Sequence, residues 1–92
     1  MITNYMIIGY GWRADFYYRI AKLLPERFSV CAGVLRTEER AKEVAHKEGV
    51  FATSDLDQAL ERKPDFAVLC VPRDVTKDYL VKLMKKGIPV LC

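Results

Sequence analysis

Apolar and polar positions along this chain alternate between short strand-like runs and helix-like stripes. Tyr5 to Ile8 is an apolar run that ends at Gly9. From Arg13 to Leu24, the positions Ala14, Tyr17, Ile20, Ala21 and Leu24 recur at helical spacing, and Pro25 stops that helix. Phe28 to Leu35, rich in Val, Phe and Cys, predicts a strand. Thr37 before Glu38, Glu39 and Arg40 predicts an N-cap with an acidic first turn. Ala41, Val44 and Ala45 supply that helix's apolar stripe, and Gly49 is its stop. Val50 to Thr53 predicts a brief strand, Asp55 caps a short helix with Leu56, Ala59 and Leu60, and Pro64 ends that unit. Asp65 to Val71 is almost continuously apolar, the habit of a parallel strand buried on both faces. Val75, Tyr79, Leu80, Leu83 and Met84 make a last helical stripe, closed by Gly87, and Pro89 to Cys92 begins a fifth strand.

Strands alternating with helices over short connections imply right-handed crossovers. The expected fold is α/β: a three-layer doubly wound parallel sheet of about five strands, ordered 3-2-1-4-5, in a single domain over residues 1–92. No internal repeat, low-complexity tract or linker interrupts it. In such a sheet ligands bind beyond the carboxyl ends of the strands, where the strand order reverses. Three connections face that crevice: Gly9 to Arg13, Leu35 to Thr37, and Val71 to Asp74.

The first connection reads Gly9-Tyr10-Gly11-Trp12-Arg13-Ala14, the pattern G-x-G-x-x-A between a strand and a helix. Its first glycine makes the turn and its second lets backbone approach a pyrophosphate. The small third residue allows close packing, and free amides at the helix N-terminus hold the anion. The alternative is a tight turn whose glycines serve backbone geometry alone. Arg13 is either a phosphate partner or an exposed first-turn charge. Trp12 either shields the pyrophosphate or packs on another domain. In the second connection, an acidic residue about 20 positions on normally takes the ribose hydroxyls. Leu35 and Arg36 stand there instead. A guanidinium binds a 2′-phosphate bidentately, so Arg36, helped by Thr37 and Arg40, is expected to favour NADP over NAD. Otherwise Arg36 is solvated or stacks on adenine. Val71, Pro72 and Arg73 are expected near the sugars on the nicotinamide side.

Composition narrows the alternatives. The 92 residues are 51% hydrophobic and 29% charged with net charge +3, which is globular chemistry. Lys and Arg interleave with Asp and Glu, and the one tight basic cluster, Lys82, Lys85 and Lys86, complements a helix C-terminus. Nucleic-acid binding is therefore not expected. Neither a membrane span nor a signal segment is visible, so a cytoplasmic protein is expected. Cys31, Cys70 and Cys92 lack metal-ligand spacing and are expected to be buried free thiols; no metal site is expected. His46 falls on a polar helix face, and Tyr17 and Tyr79 fall on core stripes, so no catalytic residue is assigned.

These features resemble the N-terminal domain of the glucose–fructose oxidoreductase, inositol dehydrogenase and rhizopine-catabolism family (Gfo/Idh/MocA). The resemblance covers essentially the whole chain. It rests on "IIGYGWRA", "LRTEERAKEVAHKEGV", "SDLDQAL", "PDFAVLCVP" and "YLVKLMKKGIPVLC". It implies a dinucleotide-binding Rossmann domain of an NAD(P)-dependent oxidoreductase acting on a sugar, polyol or related alcohol. In such relatives the last strand runs into a Glu-Lys-Pro motif with a catalytic lysine, followed by a substrate domain. The chain stops before that motif, so a truncated cofactor domain, inactive alone and prone to homo-oligomerise, is expected. Three positions depart from the family's habit. Arg73 stands for an Asn, Thr76 for a His, and Leu35-Arg36 for the acid. Two alternatives follow: a non-catalytic sensor of NAD(P), CoA or another adenine nucleotide, or an interaction domain that lost its ligand.

Overall fold

The computed structural model describes residues 2–91; the expected thiol and strand residue Cys92 lies outside them. Among the described residues, five strands alternate with four helices. In chain order they are β1 (Thr3–Ile8), α1 (Trp12–Leu23), β2 (Phe28–Val34), α2 (Glu38–Glu48), β3 (Ala52–Thr53), α3 (Leu56–Leu60), β4 (Phe66–Leu69), α4 (Arg73–Lys85) and β5 (Val90–Leu91). All neighbouring strands pair parallel, in the order β3-β2-β1-β4-β5. The expected doubly wound sheet is therefore present, with its strand order reversing between β1 and β4.

The sheet's alternation sorts side chains between two cores. Tyr5 and Ile7 of β1 point to one face, where Ala14, Tyr18, Ala41 and Val44 of α1 and α2 cover them. Met6 and Ile8 point to the other, against Ala59 of α3 and Leu83 of α4. β1 is thus buried on both faces, which is why its sequence is an unbroken apolar run. Each such side chain taken fully from water contributes about 1.5–3 kcal/mol.

The helix boundaries follow local chemistry. Thr37 caps α2 by accepting from the Arg40 backbone N–H at 3.2 Å, and Asp55 caps α3 by accepting from Asp57. Gly49 ends α2 in the left-handed conformation.

Several expectations shift. β1 begins two residues before the apolar run, because the Thr3 N–H donates to the Arg27 carbonyl and starts the ladder. β4 is shorter than the run Asp65–Val71, and α4 begins at Arg73, before its first apolar residue, Val75. The β1–β2 register slips between Tyr5 and Met6: Tyr5 faces Val30 and Met6 faces Ala32, so Cys31 is an extra residue in β2. Cys31 and Ala32 consequently pack toward the same core. Cys31 and Cys70 are free thiols but half-buried rather than buried: one sits at this bulge, the other where β4 leaves the sheet.

Candidate functional site

A cavity of about 730 Å³ opens at the carboxyl ends of β1, β2 and β4. Its floor is the switch point of the sheet. Gly9 makes that floor possible. It sits at φ +99°, and a Cβ there would stand 2.3 Å from the Cys70 carbonyl oxygen and 2.9 Å from a Val71 methyl. The two backbones are fixed to their neighbours: Gly9 N–H donates to the Val34 carbonyl and Cys70 N–H to the Ile8 carbonyl, each at 2.8 Å.

Gly11 is different. Its φ is +150°, yet a Cβ there would meet nothing within 4 Å. The space above it is open. It forms the N-cap of α1 with no side-chain hydrogen bond, and the first intrahelical bond runs from Asp15 N–H to the Gly11 carbonyl. The amides of the first turn therefore have no capping side chain. α4 also starts without a side-chain cap, from Pro72. α1 and α4 start without side-chain caps, whereas α2, whose cap Thr37 lines the cavity, and α3 carry them. Unsatisfied amides and the positive end of a helix dipole favour an anion. A pyrophosphate fits this cradle, because the second glycine leaves the approach free.

Gly9, Leu35, Arg36, Thr37, Val71 and Pro72 come together around the cavity. Leu35 does so while its side chain packs into the α1–α2 core, leaving its backbone to face the opening. Thr37 Oγ1 is engaged as a cap, with its hydroxyl proton free to donate. Gly11, Trp12, Arg13 and Arg73 are not among the residues that line the cavity; they lie in the turns that start α1 and α4. Trp12 is 83% exposed. Burial pushes the Cys70 thiol up, and the Arg13 guanidinium, close enough to act on it, pulls the other way. Thr76 donates its hydroxyl to the Pro72 carbonyl at 3.1 Å, a local helix bond. His46 lies exposed on α2, and Tyr17 is half-buried against the core.

The residue pattern from 3 to 92 matches the oxidoreductase family with an NAD-binding Rossmann fold. The chain belongs to the Gfo/Idh/MocA family. No curated protein matches it. Among solved structures, a probable dehydrogenase from Thermotoga maritima superposes with a TM-score of 0.83 at 21% identity, over 97% of this chain and 27% of that one. GenD2 from gentamicin A biosynthesis, in complex with NAD, gives 0.82 at 21% identity, over 96% of this chain and 25% of GenD2. Levoglucosan dehydrogenase, in complex with NADH and levoglucosan, gives 0.85 at 16% identity, over 100% of this chain and 27% of that enzyme. The chain thus spans about a quarter of the length of these solved structures.

This Gfo/Idh/MocA domain also places in the crevice residues that the sequence reading passed over. Tyr10, Glu39, Glu43, Ser54 and Val75 line it, as does Tyr79, expected as core. Glu39 and Glu43 are one helical turn apart and lie three and seven positions after Arg36, so helical spacing from Arg36 would have found them. Ser54 N–H and hydroxyl both donate to Glu38, and the Ser54 hydroxyl holds that carboxyl below its ordinary range. Neither Arg36 nor Arg40 enters an ion pair among the described residues. No helix of the described residues is long and apolar enough to cross a membrane.

Proposed function

We propose that this chain is the cofactor domain of an NAD(P)-dependent oxidoreductase that acts on a sugar, polyol or related alcohol. The open space above Gly11, at an uncapped helix N-terminus on the switch point, carries the reading. Family membership supports it, and so do similar proteins whose structures hold NAD or NADH, one of them with levoglucosan. The nicotinamide, when bound, supplies hydride transfer. The domain's own residues bind and orient it: the α1 amides and Gly11 take the pyrophosphate, aided by Arg13. Leu35 to Arg40 take the adenosine ribose, and Val71 to Arg73 the sugar on the nicotinamide side. The free thiols Cys31 and Cys70 support a cytoplasmic setting.

Arg36 and Arg40 favour NADP. Both are exposed at the crevice, pair with no carboxylate among the described residues and match a 2′-phosphate. A hydrogen bond to a charged group contributes about 1.5–3 kcal/mol, so NADPH is expected to bind roughly tenfold or more tightly than NADH, with Arg36→Ala removing the difference. Fluorescence titration of both cofactors is the test. Tighter NADH binding, or undiminished NADPH affinity in Arg36→Ala, overturns the preference. Binding of neither cofactor overturns the cofactor reading.

A further inference from the structure

Tyr10 lies between Gly9 and Gly11, both at positive φ. Two neighbouring glycines leave a turn with unusual conformational freedom, and holding it in one shape opposes that entropy. The Tyr10 side chain supplies an anchor. Its ring packs against Tyr18 of α1 with centroids 5.9 Å apart, and the Lys47 ammonium of α2 lies 5.4 Å from its centre. Its hydroxyl donates to Glu48 Oε2 at 2.7 Å, and the Lys22 ammonium donates to Glu48 Oε1 at 2.6 Å. Glu48 is the last residue of α2, and Lys22 lies in the last turn of α1. One carboxylate therefore joins the glycine turn to both helices on that face of the sheet.

Glu48 is costly where it stands. It is only 8% exposed, and an acid at a helix C-terminus opposes the dipole. Burial pushes its carboxyl up, but the hydrogen bonds from Lys22 and Tyr10 outweigh that and hold it below the ordinary value. An apolar residue would fill the same place without desolvating a charge. What only an acceptor can do there is hold the Tyr10 hydroxyl and the Lys22 ammonium.

We propose that Tyr10, Glu48 and Lys22 form a clamp that fixes the glycine turn in its anion-binding shape, making Tyr10 and Glu48 positioning residues for the cofactor's pyrophosphate. The proposal rests on the cofactor reading above. Tyr10→Phe keeps the ring and removes only the donor, so it tests the link and not the packing. Glu48→Met removes the acceptor, and Glu48→Gln keeps an acceptor for the phenol.

The experiment measures NAD affinity by calorimetry, well below each variant's unfolding temperature, together with amide hydrogen exchange of the free protein. Tyr10→Phe and Glu48→Met are each expected to weaken NAD about tenfold and to speed exchange at Tyr10 to Arg13, while β1 and β4 keep their protection. The double variant is expected to lose no more than either single one, and Glu48→Gln to recover most of the affinity. Variants that melt earlier yet bind NAD as the parent does, with unchanged exchange in the turn, overturn the clamp. If the parent binds neither NAD nor NADP, the cofactor reading fails and exchange alone decides. Faster exchange in Tyr10→Phe then upholds the clamp, and unchanged exchange overturns it.

Discussion

Replacing Gly9 and Gly11 by alanine, one at a time, separates the part of the turn that builds the fold from the part that receives the ligand. In Gly9→Ala the new Cβ stands 2.3 Å from the Cys70 carbonyl oxygen and 2.8 Å from its carbon, both backbone atoms, so one strand end must move. Overpacking of this kind costs about 1–3 kcal/mol. A side chain at φ +99° adds backbone strain of about 1–3 kcal/mol. Together the loss is about 2–6 kcal/mol, against the roughly 5–14 kcal/mol expected for a domain of this size. Gly11→Ala meets no atom and carries the strain alone. Urea unfolding of the ligand-free proteins is the assay, followed by NAD titration of whichever variants fold. Gly9→Ala should be the less stable by about 1–3 kcal/mol. Gly11→Ala should fold and lose NAD affinity by tenfold or more, because its methyl occupies the pyrophosphate's approach. Equal stabilities, or a Gly11→Ala that binds NAD like the parent, would refute the division of roles.

Thr37→Ala removes the α2 cap and is expected to cost about 1 kcal/mol, lowering the melting temperature by roughly 4–8 °C. Tyr18→Phe should stabilise the protein or leave it unchanged, since the Tyr18 hydroxyl is buried over Gly33 with no hydrogen-bond partner among the described residues; clear destabilisation would show a partner there. Leu83→Ala empties a fully buried site under α4 and should cost about 2–5 kcal/mol by urea unfolding. Acid should expose the Glu48 ion pair. Its folded carboxyl lies below the ordinary value of 4.5, so its contribution is complete above that pH and lost as pH falls through the lower folded value. Lys22, Lys47 and Tyr10 surround it. Melting curves from pH 5 to pH 3 should therefore fall less steeply in Glu48→Gln than in the parent.

The strand and helix order was legible because each element announces itself locally. Thr37 and Asp55 are caps, Gly49 is a stop, and the β1 run is apolar because both its faces are covered. The glycine turn was legible for the same reason, since its pattern lies within one strand–helix unit. What stayed hidden depends on distance along the chain. The Tyr10–Glu48 bond joins residues 38 positions apart, and nothing near either one signals it. The Cys31 bulge arises from β2 pairing with β1 and changes which face its residues take, so alternation along β2 alone misleads. Glu39, Glu43 and Ser54 reach the crevice only because α2 and the end of β3 close beside it. The sequence pattern of α2 shows a solvated polar face, and the fold turns part of that face onto the crevice.

The central claim, that the crevice at Gly9–Trp12 receives a dinucleotide, is tested most directly by ¹⁵N-resolved NMR of the protein titrated with NAD and NADP. The account predicts saturable shifts at the amides of Gly9 to Ala14, Leu35 to Arg40 and Val71 and Arg73, with the largest at Gly11 and Trp12. Shifts confined to other faces, or none at millimolar cofactor, would contradict it.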